Sequence, residues 1–324
     1  MRVRALLLLA LLPAACQRAA QNPPPAARPS SAPASSPLDR ARSRLQAGDL
    51  DGALGVLSQA GSGPEALYYT GLAWARKAEL APLPTPPPLP ASAPRGGHPP
   101  PAPQFKPEEL QAMEFFERTL AAQPGHPGAS LGVGDLLAPH SLRRYSRPQA
   151  TSAKRRGNRA TEPAAPQGPD CRPERVIQAY RAATEGDPAS RESVEKLIDF
   201  SMRVGRVDDA DQGLQELLRR EKERPEPFIR YGDFLLNVKK EPMAAIDQYR
   251  QALIWRPDDE ATRARIADIY ITQGIEHYGR NEYAVAEARF LDAQKWVADP
   301  RSPQGLRIQD YTGKLRAIRQ PMAK

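Results

Sequence analysis

The 324-residue sequence has few of the residues that build metal, redox or nucleophilic sites: two cysteines, four histidines and 6% aromatic residues. One cysteine lies in an N-terminal apolar segment, which leaves Cys171 without a partner for an internal disulfide. No metal site and no cofactor are predicted, because no short spacing joins another ligand type to any of His98, His126, His140 and His277. The sequence also lacks a glycine-rich phosphate loop and a nucleophile elbow, so no enzymatic activity is expected. A catalytic site assembled from residues distant in sequence is the alternative.

The apolar run that begins at Ala5 is eight residues long, which is too short to span a bilayer as a helix. Two arginines precede this run and Pro-Ala-Ala-Cys follows it, so residues 1–15 are predicted to be a signal peptide. The segment resembles a bacterial lipoprotein signal, which implies cleavage before Cys16 and a lipid on its thiol. By the same resemblance, the absence of aspartate after Cys16 implies the periplasmic face of the outer membrane. An ordinary secretory signal cut nearby is the alternative.

Three further segments have a low-complexity composition and no apolar period. Residues 16–36 are rich in proline and alanine and are predicted to link the anchor to a folded domain, residues 37–318. Residues 81–106 and 138–171 interrupt that domain, and we expect both to be disordered loop inserts in the turns of helical hairpins.

Between these segments, apolar residues recur at helical spacing. The stretch from Ser190 to Pro257 contains two consecutive copies of one helical hairpin, each of about 34 residues. A single hairpin of this kind cannot bury its apolar face alone, so a recurring one indicates stacked neighbours with a continuous core.

The second helix of each hairpin carries a small residue, a bulky residue four later, a small one three after that, and often a proline five further. This pattern occurs at Ala112, Phe116, Thr119 and Pro124; at Val176, Tyr180, Ala183 and Pro188; at Ala245, Tyr249, Ala252 and Pro257; and, without the proline, at Ala286, Phe290 and Ala293. Two further copies depart from it: a degenerate first copy at Ala53, Leu57 and Ala60, and one at Ala210, Leu214 and Leu217 that has Lys222 where proline is expected. First helices carry a small residue as well, at Gly71, Gly134, Gly232 and Ala267, whereas Ile198 departs from the pattern.

This arrangement resembles the tetratricopeptide repeat family. The prediction is an all-α, tetratricopeptide-like α-solenoid of about six helical hairpins, ended by a capping helix over about residues 303–318. The resemblance implies a concave groove that binds a peptide or protein segment.

An aspartate directly follows the small-residue position of four first helices, which Ile198 occupies in one of them, and in the family the aspartate position faces the groove. These residues are Asp135, Asp199, Asp233 and Asp268, and three residues after the last three come Met202, Leu236 and Ile271. We expect the seven residues to bind the partner, as an acidic ladder beside an apolar stripe suited to a segment with Lys or Arg and large apolar side chains. The alternative is that the aspartates cap or bridge neighbouring helices.

The formal net charge is +8, and removal of Arg2 and Arg4 with the signal leaves +6. Residues 141–160 hold seven basic residues and no acidic one, so the rest of the chain carries −1. These seven could bind an anion: Arg143, Arg144, Arg147, Lys154, Arg155, Arg156 and Arg159. In an exported chain, the expected ligand is anionic lipid or cell-wall polymer rather than nucleic acid. The alternative is a solvated basic insert with no dedicated partner.

The sequence therefore predicts a lipid-anchored scaffold in the bacterial cell envelope that binds a protein partner. The alternative is a membrane-anchored tether whose basic loop binds anionic lipid or wall polymer.

Overall fold

The structure, a computed structural model, describes residues 36–82, 105–145 and 168–319. In these ranges the chain forms thirteen α-helices and one π-helical turn, Leu235–Lys239, and no strand. The predicted signal peptide, Cys16, nearly all of the linker and most of both inserts lie outside these ranges.

Local sequence explains where the helices begin. The helices are α1 Pro37–Gln46, α2 Leu50–Leu57, α3 Pro64–Leu80, α4 Pro107–Ala122, α5 Pro127–Tyr145, α6 Pro173–Gly186, α7 Arg191–Arg203, α8 Val207–Arg220, α9 Pro225–Phe234, α10 Pro242–Trp255, α11 Glu260–Gly279, α12 Tyr283–Gln294 and α13 Pro303–Arg319. Eight of them start with proline, whose fixed φ suits the first helical position and whose missing N–H is not needed there. Three others are capped by a side chain that accepts a backbone N–H, from Asp49, Ser190 or Asp259.

Consecutive helices pack as six antiparallel hairpins, numbered here in chain order: α1 with α2, α3 with α4, α5 with α6, α7 with α8, α9 with α10, and α11 with α12. Each second helix also contacts the first helix of the next hairpin, and α13 packs on α11 and α12. This arrangement confirms the prediction of an all-α solenoid of about six tetratricopeptide-like hairpins. The last helix ends at Arg319, one residue beyond the predicted capping helix.

In hairpins 2, 3, 5 and 6 the bulky residue of the second helix lies against a glycine of the first helix. A Cβ added at Gly134 would lie 2.5 Å from the ring of Tyr180, and one at Gly232 would lie 2.5 Å from the ring of Tyr249. The absence of a side chain is what lets the two helices of a hairpin approach this closely.

Hairpin 4 reverses this arrangement, which explains why Ile198 departs from the pattern. Here the first helix carries the large residue, Ile198, and the second helix carries the small one, Gly213, whose added Cβ would lie 2.7 Å from Ile198 Cγ1. The bulky position of the second helix is occupied by Leu214, a smaller side chain than the tyrosine or phenylalanine found there in other hairpins, and it is fully buried.

Gly213→Ala is expected to lower the free energy of unfolding by about 1 to 2 kcal/mol, because overpacking against a β-branched side chain outweighs the higher helix propensity of alanine. Ile198→Ala should remove most of that penalty, so the two changes together should cost less than their sum. Urea unfolding of the single and double variants measures this coupling. Gly55→Ala is the matched control, since nothing lies within 4 Å of its added Cβ, and it should stabilise the chain slightly.

The second insert is shorter than predicted. Helix α5 continues through Pro139 to Tyr145, whereas the insert was expected to begin at residue 138. The extra turns persist because Ala138, His140 and Ser141 are buried, so tertiary packing compensates for the proline. The other end differs too: Cys171 is buried in the core formed by hairpins 2 and 3 instead of lying in a disordered segment.

At the first insert, α3 ends at Leu80 and α4 begins at Pro107, which is where the composition changes. Lys106 Nζ donates to the carbonyls of Ala78 and Ala81, each at 2.6 Å, and so caps the C-terminus of α3. No helix in the described part of the chain has the length and apolar character needed to cross a membrane.

Candidate functional site

The aspartates of the first helices do not stand as an open acidic ladder. Each accepts a hydrogen bond or ion pair from a side chain of the next first helix along the chain. The pairs are Lys196 Nζ with Asp135 Oδ2 at 2.6 Å, Arg230 Nη2 with Asp199 Oδ1 at 2.5 Å, Arg265 Nε with Asp233 Oδ1 at 3.2 Å, and Arg307 Nη1 with Asp268 Oδ1 at 3.2 Å. The surface that these pairs cross is called the first-helix face below.

The expectation of an acidic stripe is therefore corrected, because every one of the four carboxylates is matched by one cation. Their contacts are those of the alternative interpretation, in which the aspartates bridge neighbouring helices. Each cation belongs to a later helix than the aspartate that it pairs with. Within its own helix the cation lies three residues before the next aspartate, in the tetrapeptides KLID (196–199), RYGD (230–233) and RIAD (265–268), and RIQD (307–310) repeats the spacing in α13.

Tyrosine hydroxyls from the second helices complete two of these pairs. Tyr180 donates to Asp135 Oδ1 at 3.0 Å, and Tyr249 donates to Asp233 Oδ1 at 2.7 Å. Burial, and then the neighbouring carboxylate, raises the pKa of both phenols, so both stay protonated and act as donors. At Asp268 the second donor is Gln304, at 3.1 Å.

Asp199 is the exception among the four. The residue of its own hairpin that corresponds to Tyr180 and Tyr249 is Leu214, which has no hydroxyl to donate. The side chain of Asp199 is 67% exposed, against 41 to 45% for the other three aspartates. Hairpin 4 therefore presents the most accessible carboxylate of the four.

A groove opens beside Asp199, between α7 and the α9 segment that follows it on the first-helix face. Its volume is about 560 Å³. Its floor is apolar and consists of Ile198, Leu214 and Phe234, each less than 5% exposed. Its wall includes Met202, which is 40% exposed and is one of the residues predicted to contact a partner.

The polar rim of the groove contains two carboxylates, two guanidinium groups and one amide, from Asp199, Arg203, Arg230, Asp233 and Asn237. Arg230 lies within reach of two acids, since its Nη1 is 3.8 Å from Glu195 as well as paired with Asp199. The groove can therefore offer both donors and acceptors to the backbone of a bound segment, around an apolar pocket.

The π-helical turn Leu235–Lys239 shapes the far wall. A π turn inserts one extra residue into the helix, and here it ends at Lys240, which adopts the left-handed conformation with φ 60°. As a result Asn237 and Val238 line the groove, whereas Leu236, the predicted contact residue, does not.

Ile271 is wrong as a contact residue, because it is fully buried. Helix α7 ends one residue after Met202, which leaves that side chain accessible. Helix α11 instead continues to Gly279, and Gly274 lies against the ring of Phe290, so this part of the helix is covered by α12. The equivalent position is therefore core in hairpin 6 and surface in hairpin 4.

Two of the seven predicted anion-binding residues are described. Arg143 and Arg144 are exposed in the last turn of α5, where Arg144 lies over the ring of Tyr145 at 5.7 Å. Nearby, burial raises the pKa of the Cys171 thiol. The other five lie outside the described residues: Arg147, Lys154, Arg155, Arg156 and Arg159.

Across the described ranges, no group of three His, Cys, Asp or Glu side chains is placed to hold a metal ion.

His140 is buried and its Nε2 lies 3.2 Å from Glu109 Oε2, while the ring stacks on Phe105. Burial acts to raise the pKa of Glu109, but the hydrogen bonds from His140 and from the Lys106 backbone outweigh it and hold that pKa below its usual value. This pair joins α4 to α5.

No protein-family model matches the chain, and no curated protein matches it. Among solved structures, MamA from Desulfovibrio magneticus RS-1 is 14% identical over 68% of this chain and 93% of its own, with a TM-score of 0.39. PilF from Pseudomonas aeruginosa is 14% identical over 86% of this chain and 96% of its own, also at 0.39. TTC0263, a TPR protein from Thermus thermophilus, is 18% identical over 72% and 96%, at 0.35.

Proposed function

We propose that the chain is a non-catalytic scaffold that binds an extended segment of a protein partner in the groove of hairpin 4. The observation that carries the proposal is that hairpin 4 departs from the regular pairing of aspartates on the first-helix face. Elsewhere on the first-helix face the aspartates have two partners each, whereas at hairpin 4 an accessible carboxylate, an exposed methionine and an apolar floor occur together.

These features match what extended segments need for recognition. An apolar pocket accepts one side chain, and donors and acceptors at its rim bind the backbone on either side. Because the charges on this face are paired, the groove does not select a strongly cationic segment. The shape of the groove and its apolar contacts determine the affinity for the segment, and hydrogen bonds to the polar rim determine which residue of the segment lies in the pocket.

The test compares two charged substitutions of exposed methionines. Met202→Glu places a carboxylate in the groove, and Met243→Glu places one on α10, outside the groove. Loss of partner binding in the first variant alone supports the proposal.

The proposal also includes attachment to a membrane through Cys16, at the periplasmic face of the outer membrane. The support is the sequence of residues 1–16, which resembles a lipoprotein signal. A single acyl chain binds a bilayer only marginally, whereas a lipoprotein-type anchor with several chains is stable.

Cys16→Ser is expected to move the protein from the membrane fraction to the soluble fraction, because the variant cannot carry the lipid. The measurement is the share of protein that sediments with membranes after a high-salt wash. Cys171→Ala is the control: its thiol is buried in the solenoid, so this variant should remain in the membrane fraction. Retention of Cys16→Ser in washed membranes would contradict the anchor.

A further inference from the structure

Hairpin 4 differs from its neighbours in one side-chain contact, which a position-by-position comparison of the hairpins identifies. In hairpins 3 and 5 a tyrosine of the second helix lies over a glycine of the first and reaches the aspartate beside it. In hairpin 4 the tyrosine position holds Leu214, which has no hydroxyl to donate to Asp199. The acceptor is thus retained while its phenol donor is missing, and the groove lies beside both residues.

We propose that the groove accepts a tyrosine side chain of the partner segment, whose ring rests on the apolar floor and whose hydroxyl donates to Asp199. This inference rests on the proposed function and specifies the residue that is recognised. The bound tyrosine would supply from outside the contact that Tyr180 and Tyr249 make within the chain.

Charge complementarity favours a neutral donor over a cation. Asp199 already pairs with Arg230, so the local charge is close to balanced and a second cation would gain little. A phenol adds a hydrogen bond to the carboxylate without changing that balance, and hydrogen bonds to charged groups are stronger than those between neutral ones.

The floor favours an aromatic ring. Ile198, Leu214 and Phe234 close the bottom of the groove with apolar atoms, each less than 5% exposed, and Met202, which is 40% exposed, lies at the wall, where a thioether packs well against a ring edge. Phosphorylation of the partner tyrosine would remove the hydroxyl hydrogen that is donated to Asp199 and place a dianion beside that carboxylate, so it should abolish the preference for tyrosine.

Hairpin 4 can be converted to the pattern of its neighbours as a test. The double substitution Ile198→Gly with Leu214→Tyr restores a glycine under a tyrosine, so the internal phenol should reach Asp199 and fill the groove. The matched control is Tyr180→Phe, which removes the internal phenol of hairpin 3, whose acceptor Asp135 does not line the groove of hairpin 4.

The experiment uses the full chain in detergent solution and immobilised pools of nonapeptides with randomised flanks. Each pool has one fixed central residue: Tyr, phosphotyrosine, Phe, Leu, Lys or Asp. We expect the Tyr pool to retain about five- to tenfold more protein than the Phe pool, as one hydrogen bond to a carboxylate would give. The phosphotyrosine pool should retain no more than the Phe pool, Tyr180→Phe should behave as wild type, and the double variant should lose the preference for Tyr.

The outcomes separate this inference from the proposed function. Equal retention of the Tyr, Phe and Leu pools, lost in Met202→Glu, would overturn recognition of the phenol and leave a groove that binds apolar side chains. Preference for the Lys pool would likewise overturn it. Failure of every pool to bind the wild-type chain would overturn both. Because the pool comparison uses the wild-type chain, it is decisive even where the double variant does not fold.

Discussion

Replacing Tyr249 with alanine is expected to lower the free energy of unfolding by about 3 to 5 kcal/mol, the cost of removing a fully buried aromatic side chain. Tyr249 is 0% exposed, its ring lies against Gly232 and its hydroxyl donates to Asp233. The substitution leaves a cavity between α9 and α10 that two rigid helices cannot close, and it removes the donor to a carboxylate.

Tyr249→Phe separates the two contributions. It keeps the ring and removes only the hydrogen bond to a half-exposed carboxylate, so we expect a loss of about 1 to 2 kcal/mol. Urea unfolding monitored by circular dichroism measures both. A phenylalanine variant as unstable as the alanine variant would show that the hydroxyl, and not the packed ring, stabilises the hairpin.

The damage in the alanine variant should remain local. Each hairpin of a solenoid contacts only its neighbours, so its stability is close to a sum of intrinsic and nearest-neighbour terms. Amide hydrogen exchange should therefore accelerate most in α9 to α12 and least in α3 and α4. Uniform acceleration along the chain would mean that the six hairpins unfold as one unit.

Met202→Glu is expected to weaken binding of the partner segment at least tenfold, which corresponds to about 1.4 kcal/mol or more. The introduced carboxylate would be desolvated on binding and would compete with Asp199 for Arg230. Met202 also supplies exposed apolar surface at the groove wall, and the substitution removes it.

Met243→Glu should change the affinity by less than about twofold, because surface substitutions away from a contact have small effects. The two methionines are matched in exposure, 40% and 47%, so their intrinsic effects on solubility are comparable. Equal binding by both variants would exclude the groove. It would instead favour the tether hypothesis, in which the basic loop of residues 141–160 binds anionic lipid or cell-wall polymer.

Much of the fold follows from sequence because the repeating unit is local. Six occurrences of one small-and-large pattern predict paired helices, and the first and second helices could be distinguished by their glycines. The departure at Ile198 could also be explained from sequence, since Gly213 supplies a small residue in the facing helix of the same hairpin. The continuation of α5 through Pro139 could not, because it depends on burial of His140 and Ser141 by residues of other helices.

The site was predicted less well, for physical reasons that differ from residue to residue. The charge of each aspartate is neutralised by a cation of the next helix on the first-helix face, so the sequence of one helix alone could not reveal the pairing. Leu236 is displaced by a π turn that has no marker in the apolar pattern. Ile271 is buried because α11 is longer than α7, and Met202 is accessible because α7 ends beside it.

The most direct test of the groove is a titration of the methyl-labelled protein with a binding peptide, followed by ¹³C NMR of the methionine methyl groups. The chain has five methionines, so the spectrum is simple. If the segment binds in the groove of hairpin 4, the Met202 resonance shifts in proportion to occupancy while those of Met243 and the buried Met113 stay in place. A shift of Met243 with Met202 unmoved, at saturating peptide, would contradict the account.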